Sequence, residues 1–418
     1  LLFVSSWHSK WFESISFDSV DIIIYDESTN SQNLLEINNI ILSYYNNILS
    51  DLVSILNTIH CENNSRRYWE IIVGPWLKRY ITVSFHRYHN IVGAVNKYEI
   101  EDVYLGFSSN KYGLVTNDFT NFLWSASNSK EWNFLLESRM VELLYPNFKK
   151  YPIRLDLVKS QYLKRQSIYR KLINWLANLL NPLFISKKKY FIYNSYFPFQ
   201  LNLKVHLRLK QFFLFWPYYS PPDSIPDHSL RSQIGFSRSK DNFLNLVKIL
   251  LPECLPSCYV EGYGDLVKLS DRVKWLKNPK LIFTSNAFDS DEVFKCWTAR
   301  KVVSGVKYCV GQHGNNYGTL IGNFNWVEQV TSDKFLTWGW SYKSNHIRGF
   351  NFKTSNIKVK LRPSRGLTLI EVHPLHRLGP LDDHSNFVRY LEEQLTFVSK
   401  LPVNIRKELT VRLHSASS

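Results

Sequence analysis

The chain has 418 residues, 44% of them hydrophobic and 15% aromatic, enough to bury a large core and to divide into lobes, which excludes a disordered protein. Its five cysteines, Cys61, Cys254, Cys258, Cys296 and Cys309, are scattered and odd in number, which argues against a disulfide framework. A formal charge of +16 asks for a polyanionic partner such as nucleic acid, anionic lipid or a phosphorylated substrate.

The sequence opens on Leu1 and its only methionine is Met140, so it reads as a fragment or a processed chain. "LLFVSSWHSKWF" is too short an apolar run for a secretion signal. "VDIIIYDES", Val20–Ser28, has the look of a buried parallel strand and its loop. From Leu35 the positions Ile37, Ile41, Tyr44, Ile48, Leu52, Ile55 and Ile59 step by three and four, which predicts a long helix with one apolar face. A second helix is predicted over Arg66–Tyr88, with Trp69, Ile72, Trp76, Tyr80 and Val83 along one stripe and Pro75 inside it. Arg79 and Arg87 lie off that stripe and are expected to face a cleft.

Helical patterns follow around Asn128–Leu144 and Ser160–Leu180, and two alternating or apolar runs flank Pro198. Basic residues crowd between Lys149 and Lys210, including Lys164, Arg165, Arg170, Lys171 and the Lys187–Lys189 triplet, a field suited to an anionic surface. The best apolar stretch, Leu172–Ile185, is broken by Asn and Pro182, so no window is long enough to span a membrane.

From Leu244 onward the alternation becomes regular. A helix over Asp241–Leu251 precedes the strand Lys280–Asn286; Asp289 or Ser290 then caps a helix carrying Val293, Phe294 and Trp297. Gly305 ends that helix, and the strand "VKYCV" runs into "VGQHGNNYG", Val310–Gly318. The strand "KFLTW", a strand from Gly366, a helix with Phe387, Leu391, Leu395 and Val398 on one face, and the terminal "LTVRLH" complete the pattern. Strand, helix and strand in turn predict an α/β fold with an open parallel sheet, whose ligands sit at the carboxyl ends of strands.

The nonapeptide occupies such an end. Gly311, Gly314 and Gly318 permit positive φ and a close approach of backbone to ligand, and His313 is a donor, acceptor or proton carrier near neutral pH. Its spacing fits neither the Walker A loop nor the Rossmann fingerprint. Asp289 and Asp291 follow a strand end and are read either as a general base or as helix caps. Cys254 and Cys258 have no second pair at zinc-site spacing, so no metal is expected there.

Taken in order, "YWEIIVGPWLKRYITVSFHRY", "LIFTSNAF", "VGQHGNNYG", "SDKFLTWGW" and "VRLH" resemble the LIC12162 family of transferases, found in surface-polysaccharide gene clusters, over nearly the whole chain. The His-Gly loop also looks like that of capsule Kdo transferases and CDP-glycerol glycerophosphotransferases. The resemblance implies a GT-B-like glycosyltransferase with two Rossmann-like lobes, the acceptor-side lobe over residues 1–360 and the donor lobe over residues 361–418, truncated after two strands and a helix. It implies a nucleotide sugar as donor substrate, a cell-surface glycan or lipid-linked acceptor, no metal or other cofactor, and a cytoplasmic location with peripheral contact to an anionic membrane face. With so little of the donor lobe present, weak donor binding by this chain is expected.

Sugar transfer needs a proton acceptor for the acceptor hydroxyl and positive charge for the leaving phosphate. On this reading His313 and Asp289 are the catalytic candidates. Gly311, Gln312, Gly314, Tyr317 and Gly318 of the loop contact substrate; Arg79, Arg87, Lys343 and Arg412 supply charge; Trp338 and Trp340 wall the cleft. Glu371, His373 and His376, after the first strand of the second lobe, are expected to reach the cleft as hydrogen-bonding residues rather than metal ligands. The competing readings are transfer of a phosphorylated polyol, or a non-enzymatic polyanion-binding protein; no nucleic-acid recognition motif accompanies the charge.

Overall fold

The computed structural model of the chain describes residues 34–155, 189–320 apart from 212, 214 and 215, 326–355, 366–371 and 387–412, with the pieces 2–3 and 23–24 and the single positions 172, 175 and 179. In chain order the first elements are β1 (Leu2–Phe3), β2 (Ile23–Ile24), α1 (Leu34–Ile59), α2 (Arg66–Lys97), β3 (Asp102–Phe107), α3 (Phe119–Asn128), α4 (Lys130–Leu144) and β4 (Lys149–Arg154). Then come β5 (Tyr190–Tyr193), α5 (Phe199–Arg208), α6 (His228–Arg231), α7 (Asn242–Cys254), α8 (Tyr263–Arg272), β6 (Leu281–Thr284), α9 (Ala287–Ser290), α10 (Glu292–Val303) and β7 (Lys307–Gly311). The last are α11 (Val327–Thr331), β8 (Lys334–Thr337), β9 (His346–Arg348), β10 (Thr368–Ile370), α12 (Phe387–Lys400), α13 (Val403–Lys407) and β11 (Thr410–Arg412).

The principal sheet has the order β5-β6-β7-β8-β9, and every neighbouring pair is parallel. Three two-stranded pairs, β1 with β2, β3 with β4 and β10 with β11, are parallel as well, so the fold is α/β as the sequence predicts. Strand alternation divides the side chains of this sheet between two faces. Phe191, Tyr193, Ile282, Tyr308, Val310 and Phe335 join the main core with α10 residues Val293, Phe294, Cys296 and Trp297 and with Val327 of α11. Ile192, Phe283 and Cys309 face the other way, onto Phe352, Phe197, Val205 of α5 and Leu209, which caps that helix.

The prediction for α1 holds in detail, with Ile41, Ile48 and Leu52 buried. The expected single stripe on α2 does not. From Ile71 to Arg87 every residue except Arg79 is buried, because this helix is enclosed by α1, α3, α10 and α11. Arg87 is therefore a correction: it is 0% exposed, bonds His86 Nδ1 at 2.8 Å and Asn133 Oδ1 at 3.1 Å, and has Glu137 at 3.8 Å. It is part of the helical core and presents nothing to a cleft.

One further reading changes. The cap of α10 is neither Asp289 nor Ser290 but Asp291, whose Oδ1 accepts from Phe294 N at 3.0 Å and whose Oδ2 accepts from Tyr193 OH at 2.8 Å. The alternating run "LNLKVHLRLK" after Pro198, to which the sequence assigns no element, falls in α5 and its C-terminal turn. Period-two alternation wound at 3.6 residues per turn scatters apolar side chains around the whole helix, and only one side of α5 meets the sheet. Cys254, Cys258, Cys296 and Cys309 are buried free thiols raised by burial. Among the described residues no helix is long and apolar enough to cross a membrane.

Candidate active site

β7 is flanked by parallel strands on both sides and delivers the nonapeptide to the carboxyl edge of the sheet. A Cβ on Gly311 would lie 2.5 Å from Phe352 Cε2, 2.8 Å from Ser285 Oγ and 2.9 Å from Phe283 Cζ. Gly318 has φ +77° and would set a Cβ 3.0 Å from the Trp340 ring. Gly314 meets nothing within 4 Å and lacks positive φ. The expectation of three positive-φ glycines is thus corrected: Gly311 serves close packing, Gly318 the turn, and Gly314 borders open space. Gly311→Ala is expected to cost about 1–3 kcal/mol through overpacking, read as a lower urea midpoint with an unchanged slope.

Gln312 fastens the loop. It is 2% exposed; its backbone N–H donates to Leu336 O at 2.8 Å and its Nε2 to Gly314 O at 2.8 Å. Its Oε1 accepts from Trp338 N and Trp340 Nε1, both at 2.8 Å. Its side-chain amide is therefore turned inward, tying the nonapeptide to the Trp338–Trp340 turn and to Trp340, which also stacks on Tyr342. Gln312 positions the site.

His313 lies against three aromatic rings, with centroid distances of 6.1 Å to Tyr196, 5.7 Å to Phe288 and 5.3 Å to Tyr317. Its Nδ1 is 3.3 Å from Tyr317 OH, which donates to Glu328 Oε1 in a close contact. With the phenol proton given to Glu328, the Tyr317 oxygen accepts from Nδ1–H, and Nε2 is left as the imidazole's proton acceptor. Burial, aided by the Lys353 charge, pushes the imidazole down to about 4, so it is neutral at pH 7. Lys353 Nζ itself stands 4.4 Å from the Tyr196 ring.

A group of charges surrounds the far end of this chain. Lys78 Nζ and Arg79 Cζ lie 4.2 Å and 4.4 Å from the Trp326 ring. Burial raises Glu328 to about 8 and lowers Lys78 to about 7, so both titrate near neutrality. Asp289 is raised by burial and drawn back by the charges of Arg79 and Lys295. Being no cap, it is left to this cluster. Arg79 Nε is buried without a hydrogen-bond partner among the described residues, as is Glu328 Oε2.

This arrangement suits proton removal beside a cationic centre, the demand of group transfer from a phosphorylated donor. The family model for LIC12162 family transferase matches residues 2–418. The chain belongs to that family. It is accordingly a transferase. No curated protein and no solved structure matches it.

The transferase's remaining predicted residues divide. Arg79, Asp289, His313 and Tyr317 come together with the loop; Trp338 and Trp340 border it. Glu371 and Arg412 belong to the separate β10–β11 pair, where Glu371 N donates to Arg412 O at 3.0 Å, and Arg412 is exposed. Lys343 lies after β8, lowered by burial, and adds its charge near Lys78. His373 and His376 lie outside the described residues. Sequence reading missed Lys78, Tyr196, Trp326, Glu328 and Lys353. Glu328 had a signal, an acid inside the apolar run "NWVEQV"; Tyr196 had none, since its place depends on left-handed backbone at Asn194 and Tyr196, φ 47° and 57°.

Proposed function

We propose that this transferase moves a sugar from a nucleotide-activated donor to a hydroxyl of a cell-surface glycan or lipid-linked acceptor, with His313 as the general base. The observation that carries the reading is the His313–Tyr317–Glu328 chain at the carboxyl end of β7, holding a neutral imidazole within the field of Lys353. In the transfer the acceptor oxygen attacks the anomeric carbon, its proton passes to His313 Nε2, and the carbon–oxygen bond to the donor phosphate breaks with its electron pair leaving on the phosphate. Arg79, Lys78 and Lys353 are the charges suited to that departing phosphate. Asp289 sets the field around Arg79.

A GT-B-like arrangement fits this chemistry, with residues 1–360 as the acceptor side and residues 361–418 opening the donor side. No metal is required by the proposed step, since lysine and arginine supply the charge. The protein, titrated calorimetrically with UDP-, GDP-, dTDP- and CMP-sugars and with CDP-glycerol, tests the reading. Binding of one nucleotide sugar supports it; binding of CDP-glycerol alone turns it into polyol-phosphate transfer, and binding of none of them rejects it. Tyr317→Phe, which cuts the chain between Glu328 and His313, is expected to lower turnover by about 10-fold or more with little effect on donor affinity.

A further inference from the structure

We propose that α5 is a membrane-contact helix that seats the protein on an anionic lipid surface next to His313. The winding of an alternating sequence into a helix leaves Phe199, Leu203 and Leu207, one turn apart, on the side away from the sheet, exposed by 61%, 38% and 65%. Val205 and the capping Leu209 pack on the core and His206 is buried, so α5 is apolar on both sides and covered on one. Lys204, Arg208 and Lys210 are exposed beside the stripe.

Charge selects the occupant. Between Asp156 and Asp223 the sequence has eleven Lys or Arg and no Asp or Glu, so a second copy of this face is repelled and a neutral surface offers it no counter-charge, whereas anionic head groups match it throughout. Leu172, Trp175 and Leu179, in the same acid-free stretch, are helical, three and four residues apart and 52%, 60% and 59% exposed. Apolar and aromatic side chains on one face with lysine and arginine beside them is the composition of a helix lying in the bilayer interface.

Position ties this surface to the chemistry. Tyr196, three residues before α5, stacks on His313, and Ser285 N and Oγ donate to Asn194 O and Ser195 O, both at 2.9 Å, clamping the turn that joins them. The membrane contact does not depend on the sugar-transfer reading.

The test is co-sedimentation of the full chain with phosphatidylcholine vesicles and with vesicles containing about 30% phosphatidylglycerol. The wild type is expected to bind the anionic vesicles about tenfold or more tightly, and Phe199→Glu/Leu203→Glu/Leu207→Glu to lose that preference with an unchanged far-UV spectrum. Lys204→Glu/Arg208→Glu/Lys210→Glu, which leaves the apolar stripe in place, is a second variant expected to lose it. Equal binding to both vesicles, or variants that bind as the wild type does, overturns the proposal. So does a dimer in solution that the apolar triple variant dissociates. Vesicle binding that survives rejection of every nucleotide donor would sink the sugar-transfer reading alone.

Discussion

Replacing His313 with alanine will lower turnover of the transferase by about 100-fold or more while leaving the fold and donor binding intact, the scale of losing a general base. The ring packs on its neighbours at the edge of the sheet rather than in the core, so the change removes chemistry before it removes stability. The pH profile gives an independent reading. An imidazole held down to about 4 is in its base form at every pH above that value, so the acid limb of the wild-type profile falls near pH 4 instead of near the ordinary 6.5. Lys353 contributes part of the depression, so Lys353→Met moves that limb upward. Wild-type activity in the alanine variant would reduce the nonapeptide to a structural turn, and an acid limb unmoved by Lys353→Met would remove the lysine from the site.

Much of the fold was legible because its signals are local. Apolar steps of three and four fixed α1, and short apolar runs closed by polar loops fixed β6, β7 and β8. What failed did so where burial comes from tertiary neighbours. A stripe analysis presumes one wet face, and α2 has almost none, which is why Arg87 looked available and is enclosed while Arg79 is the residue that emerges. The alternation in α5 carries the signal of a strand, and the helix it forms is recognisable only by the apolar side chains it leaves exposed.

The site was half legible for a related reason. Glycine and histidine crowded after a strand announce a loop that does something, so His313, Tyr317 and Asp289 were within reach. Their partners come from other elements: Glu328 and Trp326 from the start of the next crossover, Lys78 from the inside of α2, Tyr196 from a left-handed turn after β5. Such convergence is a product of topology and has no spacing in the chain. The glycines divide likewise, since the crowding of Phe352 and Phe283 over Gly311 is a contact between residues far apart in sequence.

Lys295→Met will destabilise the protein by about 3–5 kcal/mol, the penalty for leaving a buried carboxylate without its cation. Lys295 Nζ donates to Glu292 Oε1 at 2.9 Å and to Tyr259 OH at 3.0 Å, and Glu292 Oε1 also accepts from Tyr259 OH at 3.0 Å and Phe119 N at 3.2 Å. This fully buried knot joins α10, which backs β6 and β7, to α3 and to the turn before α8. Burial already raises Glu292 to about 7, with Lys295 opposing the rise. A carboxyl raised on folding contributes stability that is complete below its unfolded value near 4.5 and is lost as pH climbs through about 7. Without the lysine the folded value rises further, so the deficit of the variant should be smallest near pH 5, where Glu292 is protonated, and largest above pH 8. Glu292→Gln/Lys295→Met keeps the shape and removes both charges, so it should recover most of the lost stability. Thermal melts of the three proteins across that range decide it: a deficit that does not change with pH, or a double variant no more stable than the single one, would show that Lys295 acts through packing on Phe119 and Tyr259 and not through its charge.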